Sequence, residues 1–338
     1  MKPSLARLTT GLDVKQTGPP IFVVGSARSG TTLLYHMLLS GGRFAHFFGE
    51  LAVFDLLVPR FGDLSLAKNR ERMIDAWLGS KMHRASGLEE NIVRSRVMRD
   101  CKSNGDFLRI VMGEVAASQG LQRWAVWGPD NLLQMREIKS QMPEARFIHM
   151  IRDGRDVALS MSTERFIRPF AWDRDKLLLV AGLHWQWKVR HGRREAAVLG
   201  PDYLEVRFED LISNPQQVLS RISPFVGCEL DHEQIRKDAV GAVKDTNSTF
   251  KSQGEGLASK PVGRWRHLLN DSQVAALESC IGSLLTELGY ELTAPINASM
   301  SSPSLIKATY PLFFSTKHWL KHHTKVGRLT SVDRLKAA

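Results

Sequence analysis

The residues best able to do chemistry lie early in the chain, in Gly25-Ser-Ala-Arg-Ser-Gly-Thr-Thr32. A glycine-bearing loop that leads from a strand into a helix can turn its backbone N–H groups toward an anion at the helix N-terminus. Arg28 adds a planar guanidinium fork that matches a pair of phosphate or sulfonate oxygens. A nucleoside-triphosphatase loop would read GxxxxGK[ST], its lysine reaching the outer phosphates and its hydroxyl holding Mg²⁺. Thr31 stands at that lysine position, which counts against nucleotide hydrolysis and against the runner-up reading, a P-loop kinase. Two glycines can also simply make a tight turn; it is the Arg-Ser-Gly-Thr-Thr run between strand and helix that points to an anion.

Arg152-Asp-Gly-Arg-Asp-Val-Ala-Leu-Ser160 offers a second anion site. An arginine at a strand's carboxyl end and a serine two helical turns later can face the crevice used by the first loop, and two separated sites suit a doubly phosphorylated nucleotide. Alone, Arg152 and Asp153 would equally make a surface ion pair worth under about 1 kcal/mol. Glu50, beyond the helix that follows the first loop, is the candidate general base, or else an ordinary helix-starting acid. His46 and His83 are rival bases near neutral pH. Trp185 and Trp187 suit either stacking on a sugar or aromatic acceptor or packing within a core or lid.

These residues need elements to hold them. Ile21-Phe-Val-Val24 is a short apolar run ending at Gly25, and a helical pattern starts at Thr32. Ala145-Arg-Phe-Ile-His-Met-Ile151 repeats the pattern, with a helix from Asp156. Tyr203-Leu-Glu-Val-Arg-Phe208 and Trp124-Ala-Val-Trp127 read as further strands. Strands alternating with helices predict an α/β fold: a P-loop-like three-layer architecture with a central, mostly parallel sheet flanked by helices. Two helical blocks, about 51–122 and 176–197, read as caps over the sheet's carboxyl edge, where such folds bind ligands. Residues 241–262 read as a loop, and Asp271 to Leu288 as an amphipathic helix capped by Asn270 or Asp271.

The chain has 338 residues, 43% of them hydrophobic, enough for one sizeable core. A net charge of +11, from 46 basic against 35 acidic residues, points to anionic ligands or surfaces. Nucleic acid is an unsuitable partner, because no RNP-like strand or basic recognition helix is present. Cys101, Cys228 and Cys280 have no disulfide or zinc spacing, and with neither an apolar leader nor a long apolar stretch they predict a cytoplasmic protein. Glycosylation patterns at Asn247 and Asn297 carry no weight in that setting.

At this point the sequence resembles the PAPS-dependent sulfotransferase family. Its 5′-phosphosulfate loop reads like Gly25 to Thr32 and its 3′-phosphate motif like Arg152 to Ser160, in the same order and at similar spacing. The likeness continues through Tyr203 to Leu211, Lys260-Pro-Val-Gly-Arg-Trp265 and Leu288-Gly-Tyr-Glu291, covering about residues 20–292. It implies 3′-phosphoadenosine 5′-phosphosulfate as the sulfonate donor, with no metal required. Arg28, Ser29, Gly30, Thr31 and Thr32 would bind the 5′-phosphosulfate, Arg152 and Ser160 the 3′-phosphate, and Arg264 would close from the late loop. The nearest likeness is to the bacterial and tyrosylprotein-type branch, whose loop is followed by a catalytic glutamate, here Glu50. Two positions depart from it: Trp127 stands where many relatives have a lysine, and Phe208 where a tyrosine is frequent.

The implied organisation is an N-terminal extension over 1–19, a sulfotransferase domain over 20–292 and a basic tail over 293–338. The acceptor class stays open among carbohydrate, lipid and small molecule. In the tail, Tyr310-Pro-Leu-Phe-Phe314 and Trp319-Leu320 with Lys317, Lys321, Lys325 and Arg328 would suit peripheral contact with an anionic membrane. The alternative is a helix packed on the catalytic domain or on a second subunit of a homodimer.

Overall fold

Four short apolar runs, β1 (Ile21–Gly25), β2 (Ala125–Trp127), β3 (Arg146–Ile151) and β4 (Tyr203–Arg207), pair in the order β2-β1-β3-β4, every pair parallel. The computed structural model describes residues 18–51, 53–244, 261–293 and 304–325. Most of the N-terminal extension, most of the loop read over 241–262, the linker after Thr293, Lys260 and Arg328 lie outside the described residues.

In chain order the helices are α1 (Thr31–Ser40), α2 (Val58–Phe61), α3 (Ala67–Leu78), α4 (Lys81–Ser86), α5 (Glu90–Asp100), α6 (Asn104–Ser118), α7 (Met135–Gln141), α8 (Gly154–Thr163) and α9 (Leu177–Leu199). There follow α10 (Phe208–Ser213), α11 (Pro215–Val226), α12 (His232–Lys237), α13 (Trp265–Leu268), α14 (Asp271–Glu287) and α15 (Ser304–His323). Alternation along the strands sorts these helices into layers. Ile21, Val23, Ile148, Met150 and Val206 pack with α1, α10, α11 and α12. Phe22, Val24, Val126 and Phe147 point the other way and join the core built by α3, α5, α6 and α7. The sheet is thus covered on both faces, as a parallel sheet requires. Asn270 is the cap of α14, its side chain accepting from the Gln273 N–H.

One region differs from the sequence reading. The block at 176–197 is not a lid but part of α9, which lies against the sheet. A methyl group on Gly192 would stand 2.6 Å from Leu132 and 2.8 Å from His149, so the helix comes this close only because that position is bare. Trp185 is wholly buried, its ring against Gly154 of α8. In the tail, α15 docks on α9, the packing on the catalytic domain that the sequence reading kept as its alternative. Ile306, Tyr310 and Phe314 are buried in the core shared with α8, α9 and α14. The Tyr310 hydroxyl accepts from the Phe170 N–H at 3.0 Å and donates to Asp173 at 3.1 Å. Trp187 donates to Ser315 Oγ at 3.0 Å, and Lys321 pairs with Asp55 at 2.6 Å. Burial of this inner face offsets Pro311 within the helix.

Candidate active site

β1, β3 and β4 end at one edge of the sheet, and the loop after β1 begins there. Two residues let it turn, Arg28 at φ 68° and Gly30 at φ 93°. Gly30 is required twice over, since a Cβ there would lie 2.3 Å from the Phe208 ring. Arg28 has no such excuse; a side chain in the left-handed region costs about 1 kcal/mol, a strain typical of functional loops. Its position explains the cost. Arg28 Nε donates to Ser160 Oγ at 2.9 Å, and its carbonyl accepts from Arg152 at 3.0 Å. The two motifs, far apart in sequence, interlock directly.

Arg152 is 4% exposed, with its guanidinium 4.5 Å above the Phe208 ring and a bond to the Pro261 carbonyl. Phe208, which stands where a tyrosine is frequent, therefore floors both the loop and the arginine. Asp156, one turn into α8, accepts from the Gly263 N–H at 2.8 Å and from the Trp265 N–H at 3.0 Å. Those two donors bracket Arg264, so one buried carboxylate fixes the backbone on either side of it. Burial above all, and after it the charge of Arg264, pull the Arg28 guanidinium below its ordinary value, with Glu164 opposing. Arg152 is lowered in the same way: burial first, with Arg264 and Arg28 adding and Asp156 and Glu209 resisting. The charge of Arg264 thus reaches both Arg28 and Arg152, and that of Arg28 reaches Arg152, so the three guanidiniums lie near one another and charge on Arg28 and Arg152 is costly. A polyanion relieves that cost.

The polar atoms around them fit such a ligand. Among the described residues, Ser26 Oγ, Ser29 Oγ and Arg152 Nε are buried with no hydrogen-bond partner. Buried groups left in this way cost about 1–3 kcal/mol each, which oxygens of a phosphate or sulfonate would recover. Thr31 is buried at the first position of α1 and Thr32 follows it, so both belong to the anion-binding end of that helix.

Beneath this layer lies a network that sequence reasoning did not assign. Asp153 caps α8 and receives Arg155, whose other bonds reach Glu278 at 2.6 Å and the Glu291 carbonyl at 2.9 Å. Arg155 lies 3.8 Å over the Trp265 ring, and Trp265 donates to Asp153. Glu209 accepts from the Asp153 N–H and from the Tyr290 hydroxyl. These contacts hold the start of α8, the late loop and the end of α14 as one unit. The adjacent arginines of Arg-Asp-Gly-Arg were legible, but not that Arg152 lines the crevice while Arg155 serves the core.

Glu50 is exposed, and its Oε1 lies 3.5 Å from where a Gly128 Cβ would stand. Gly128 follows β2, which pairs with β1, so the carboxylate stands at the carboxyl end of the strand neighbouring the anion loop. His46 Nε2 rests 3.2 Å from the Leu39 carbonyl. His83 sets its two ring nitrogens against the Leu78 and Leu88 carbonyls at 3.0 and 2.9 Å, a structural arrangement. Trp127, at the position where relatives often have lysine, packs near Tyr35 with ring centroids 6.2 Å apart. Trp185 is core and Trp187 is covered by α15, so neither offers a stacking platform. Among the described residues, no group of three or more His, Cys, Asp or Glu is placed to hold a metal ion.

Comparison with known proteins decides what this arrangement belongs to. The sequence model of the sulfotransferase family matches residues 19–232, a span that includes both anion motifs and Glu50. The chain belongs to this family. A sulfotransferase is an enzyme. Protein-tyrosine sulfotransferase A of Caenorhabditis elegans is 22% identical over 320 residues, covering 92% of this chain and 78% of the relative. The sulfotransferase domain of the Synechococcus PCC 7002 olefin synthase superposes with a TM-score of 0.55 at 20% identity, covering 85% of this chain and all of that domain. The sulfotransferase fold is therefore shared with an enzyme domain of quite different sequence.

Proposed function

We propose that this sulfotransferase takes its sulfonate group from 3′-phosphoadenosine 5′-phosphosulfate and transfers it to a hydroxyl or amine of a carbohydrate, lipid or small-molecule acceptor. The observation that carries this reading is the interlock of the two motifs, Arg28 on Ser160 and Arg152 on the Arg28 carbonyl, with Asp156 holding the backbone on both sides of Arg264, whose charge reaches both arginines. When bound, the donor supplies an activated sulfonate with a bisphosphorylated nucleoside as leaving group. The N–H groups of Ser29 to Thr32 and the Arg28 fork would hold its 5′ end, and Arg152 with Ser160 its 3′-phosphate. Arg264 would add charge from above. With Trp127 where relatives often have lysine, these arginines supply the positive charge that opposes charge on the transferring group. Glu50 would take the proton released by the acceptor. The tyrosine acceptor in the C. elegans relative's name makes a phenol one small-molecule class worth including.

Adenosine 3′,5′-bisphosphate is expected to bind far better than AMP or ATP in calorimetric titration, because Arg152 and Ser160 reward a 3′-phosphate. Charge-assisted bonds contribute about 1.5–3 kcal/mol each, so Arg152→Ala should weaken that binding at least about tenfold. Equal affinity for AMP would sink the assignment of the second site. Incubation with ³⁵S-labelled donor and a panel of acceptors tests the transfer itself and identifies the acceptor.

Asp156→Asn should act on the same binding without touching the ligand. The amide can accept one of the two backbone N–H bonds but no longer balances Arg152 across their 3.7 Å separation. An affinity loss of about tenfold is expected, with the late loop cleaved faster in limited proteolysis. Unchanged affinity together with unchanged proteolysis would show that Arg264 is held by other contacts.

A further inference from the structure

We propose that Lys188 of α9 and Lys321 of α15 are positioning residues for Glu50, fixing the segment that carries it and the segment its carboxylate lies against. The inference deepens the reading of Glu50 as the base and rests on it. From Glu50 the chain runs past the buried Leu51 into a turn over Val53–Leu57, in which Asp55 is buried too. Glu50 Oε1 lies 3.5 Å from the Cβ position of Gly128, and Gly128 leads directly into a second turn over Pro129–Gln134. The two turns pack on each other. Two helices reach them with charged side chains. Lys188, 2% exposed, donates to the Pro129 carbonyl at 3.3 Å and pairs with Asp130. Lys321 pairs with Asp55 at 2.6 Å. At the far end of the second turn, Gln134 Nε2 lies 3.3 Å from His318 Nε2 and 3.1 Å from His322 Nε2. Both turns are therefore tied to the last turns of α15, and the second to α9 as well.

The two pairs form one network. Burial raises the Asp55 carboxyl, but His322, Lys321 and Lys188 outweigh it and leave it below its ordinary value. Asp130 is lowered chiefly by Lys188, with burial and Asp55 opposing and Lys321 adding. Each lysine thus acts on both carboxylates. Stability alone does not require this arrangement, because desolvation of a buried ion pair offsets most of its attraction and apolar side chains of the same shape would hold the turns as firmly. What the lysines add is direction. Their bonds to a backbone carbonyl and two carboxylates set where each turn stands, and Glu50 is the exposed carboxylate where the two segments meet. The helix that carries Lys321 is firmly seated, since Tyr310 and Phe314, which the sequence offered as lipid anchors, are buried in the core. Nor is it a membrane span: among the described residues no helix is long and apolar enough to cross one.

The test is a double-mutant cycle on the full chain. Turnover is read with ³⁵S-labelled donor and the acceptor that labels best in the panel, and adenosine 3′,5′-bisphosphate affinity by titration. Lys188→Met and Lys321→Met should each lower turnover by about tenfold to about 10²-fold, since a small displacement of a reacting group costs that much, and leave bisphosphate affinity within about twofold of wild type. Lys321→Arg, which keeps a cation for Asp55, should recover most of the loss. In Glu50→Gln, which lacks the group being positioned, adding Lys321→Met should cost no more than about twofold further. Should a methionine variant not fold, Asp130→Asn, whose side chain is 39% exposed, makes the same comparison. Unchanged turnover in the methionine variants, a full second loss in the double variant, or a loss of bisphosphate affinity parallel to turnover overturns the inference and leaves the base reading standing. Intact turnover in Glu50→Gln alone removes the base reading and the inference with it.

Discussion

Arg28→Ala is expected to lower turnover about 10²–10³-fold and to weaken adenosine 3′,5′-bisphosphate binding in the same variant. The side chain bonds Ser160 through Nε, lies 5.8 Å from the exposed Phe166 ring, and is the one guanidinium inside the loop itself. Alanine does not relieve the left-handed backbone, since it too carries a Cβ, so the comparison reads out the guanidinium rather than loop geometry. Arg28→Lys separates charge from shape: the lysine keeps a cation but loses both the planar fork and the Nε bond, and should fall between the two. Turnover and affinity are measured on each variant with labelled donor and by titration. Intact turnover in Arg28→Ala would remove Arg28 from the charge-stabilising role and leave it as a strut between the two motifs.

Glu50→Gln should fail in a different way. The amide keeps the size of the side chain but cannot take the acceptor's proton, so turnover should fall about 10²–10⁴-fold while bisphosphate affinity stays near wild type. The expected separation follows from position, since Glu50 stands beside Gly128 at the end of β2 and the donor-side arginines belong to the loop after β1, the start of α8 and the late loop. The pH profile supplies a second readout. Wild-type turnover should drop on the acid side as a base is protonated, and the variant's residual turnover should lack that limb. Full turnover in Glu50→Gln would overturn the glutamate assignment. His83 is a poor replacement, because both its ring nitrogens face backbone carbonyls, whereas of the His46 ring nitrogens Nε2 alone meets one.

What the sequence determined by itself is what short-range physics determines. The strand, glycine loop and helix from Ile21 to Ser40 follow from an apolar run, residues suited to a turn and a helical pattern, all within twenty residues. Parallel strands followed from their alternation with helices, and the Asn270 cap from its place before an apolar period. Arg152 at the end of an apolar strand and Ser160 two helical turns later could be expected to face one crevice, because a fixed rise and rotation per residue set the serine's direction. None of this needed contacts between distant segments.

The tertiary structure decided which of the legible residues meet. That Arg28 reaches Ser160 across 132 positions, and that Asp156 holds the backbone on both sides of Arg264, depends on β1 lying beside β3 and on the late loop returning over α8. Arg152 and Arg155 have the same side-chain chemistry three positions apart; only the packing of Trp265, Glu278 and Phe208 sends one to the crevice and the other to the core. Trp185 and Trp187 were equally ambiguous until α9 met Gly154 on one side and α15 on the other. The tail's apolar residues divided into buried and exposed rows only once a partner surface existed. Burial belongs to pairs of surfaces, so a residue's type sets what it can do, and the surface it packs against sets what it does.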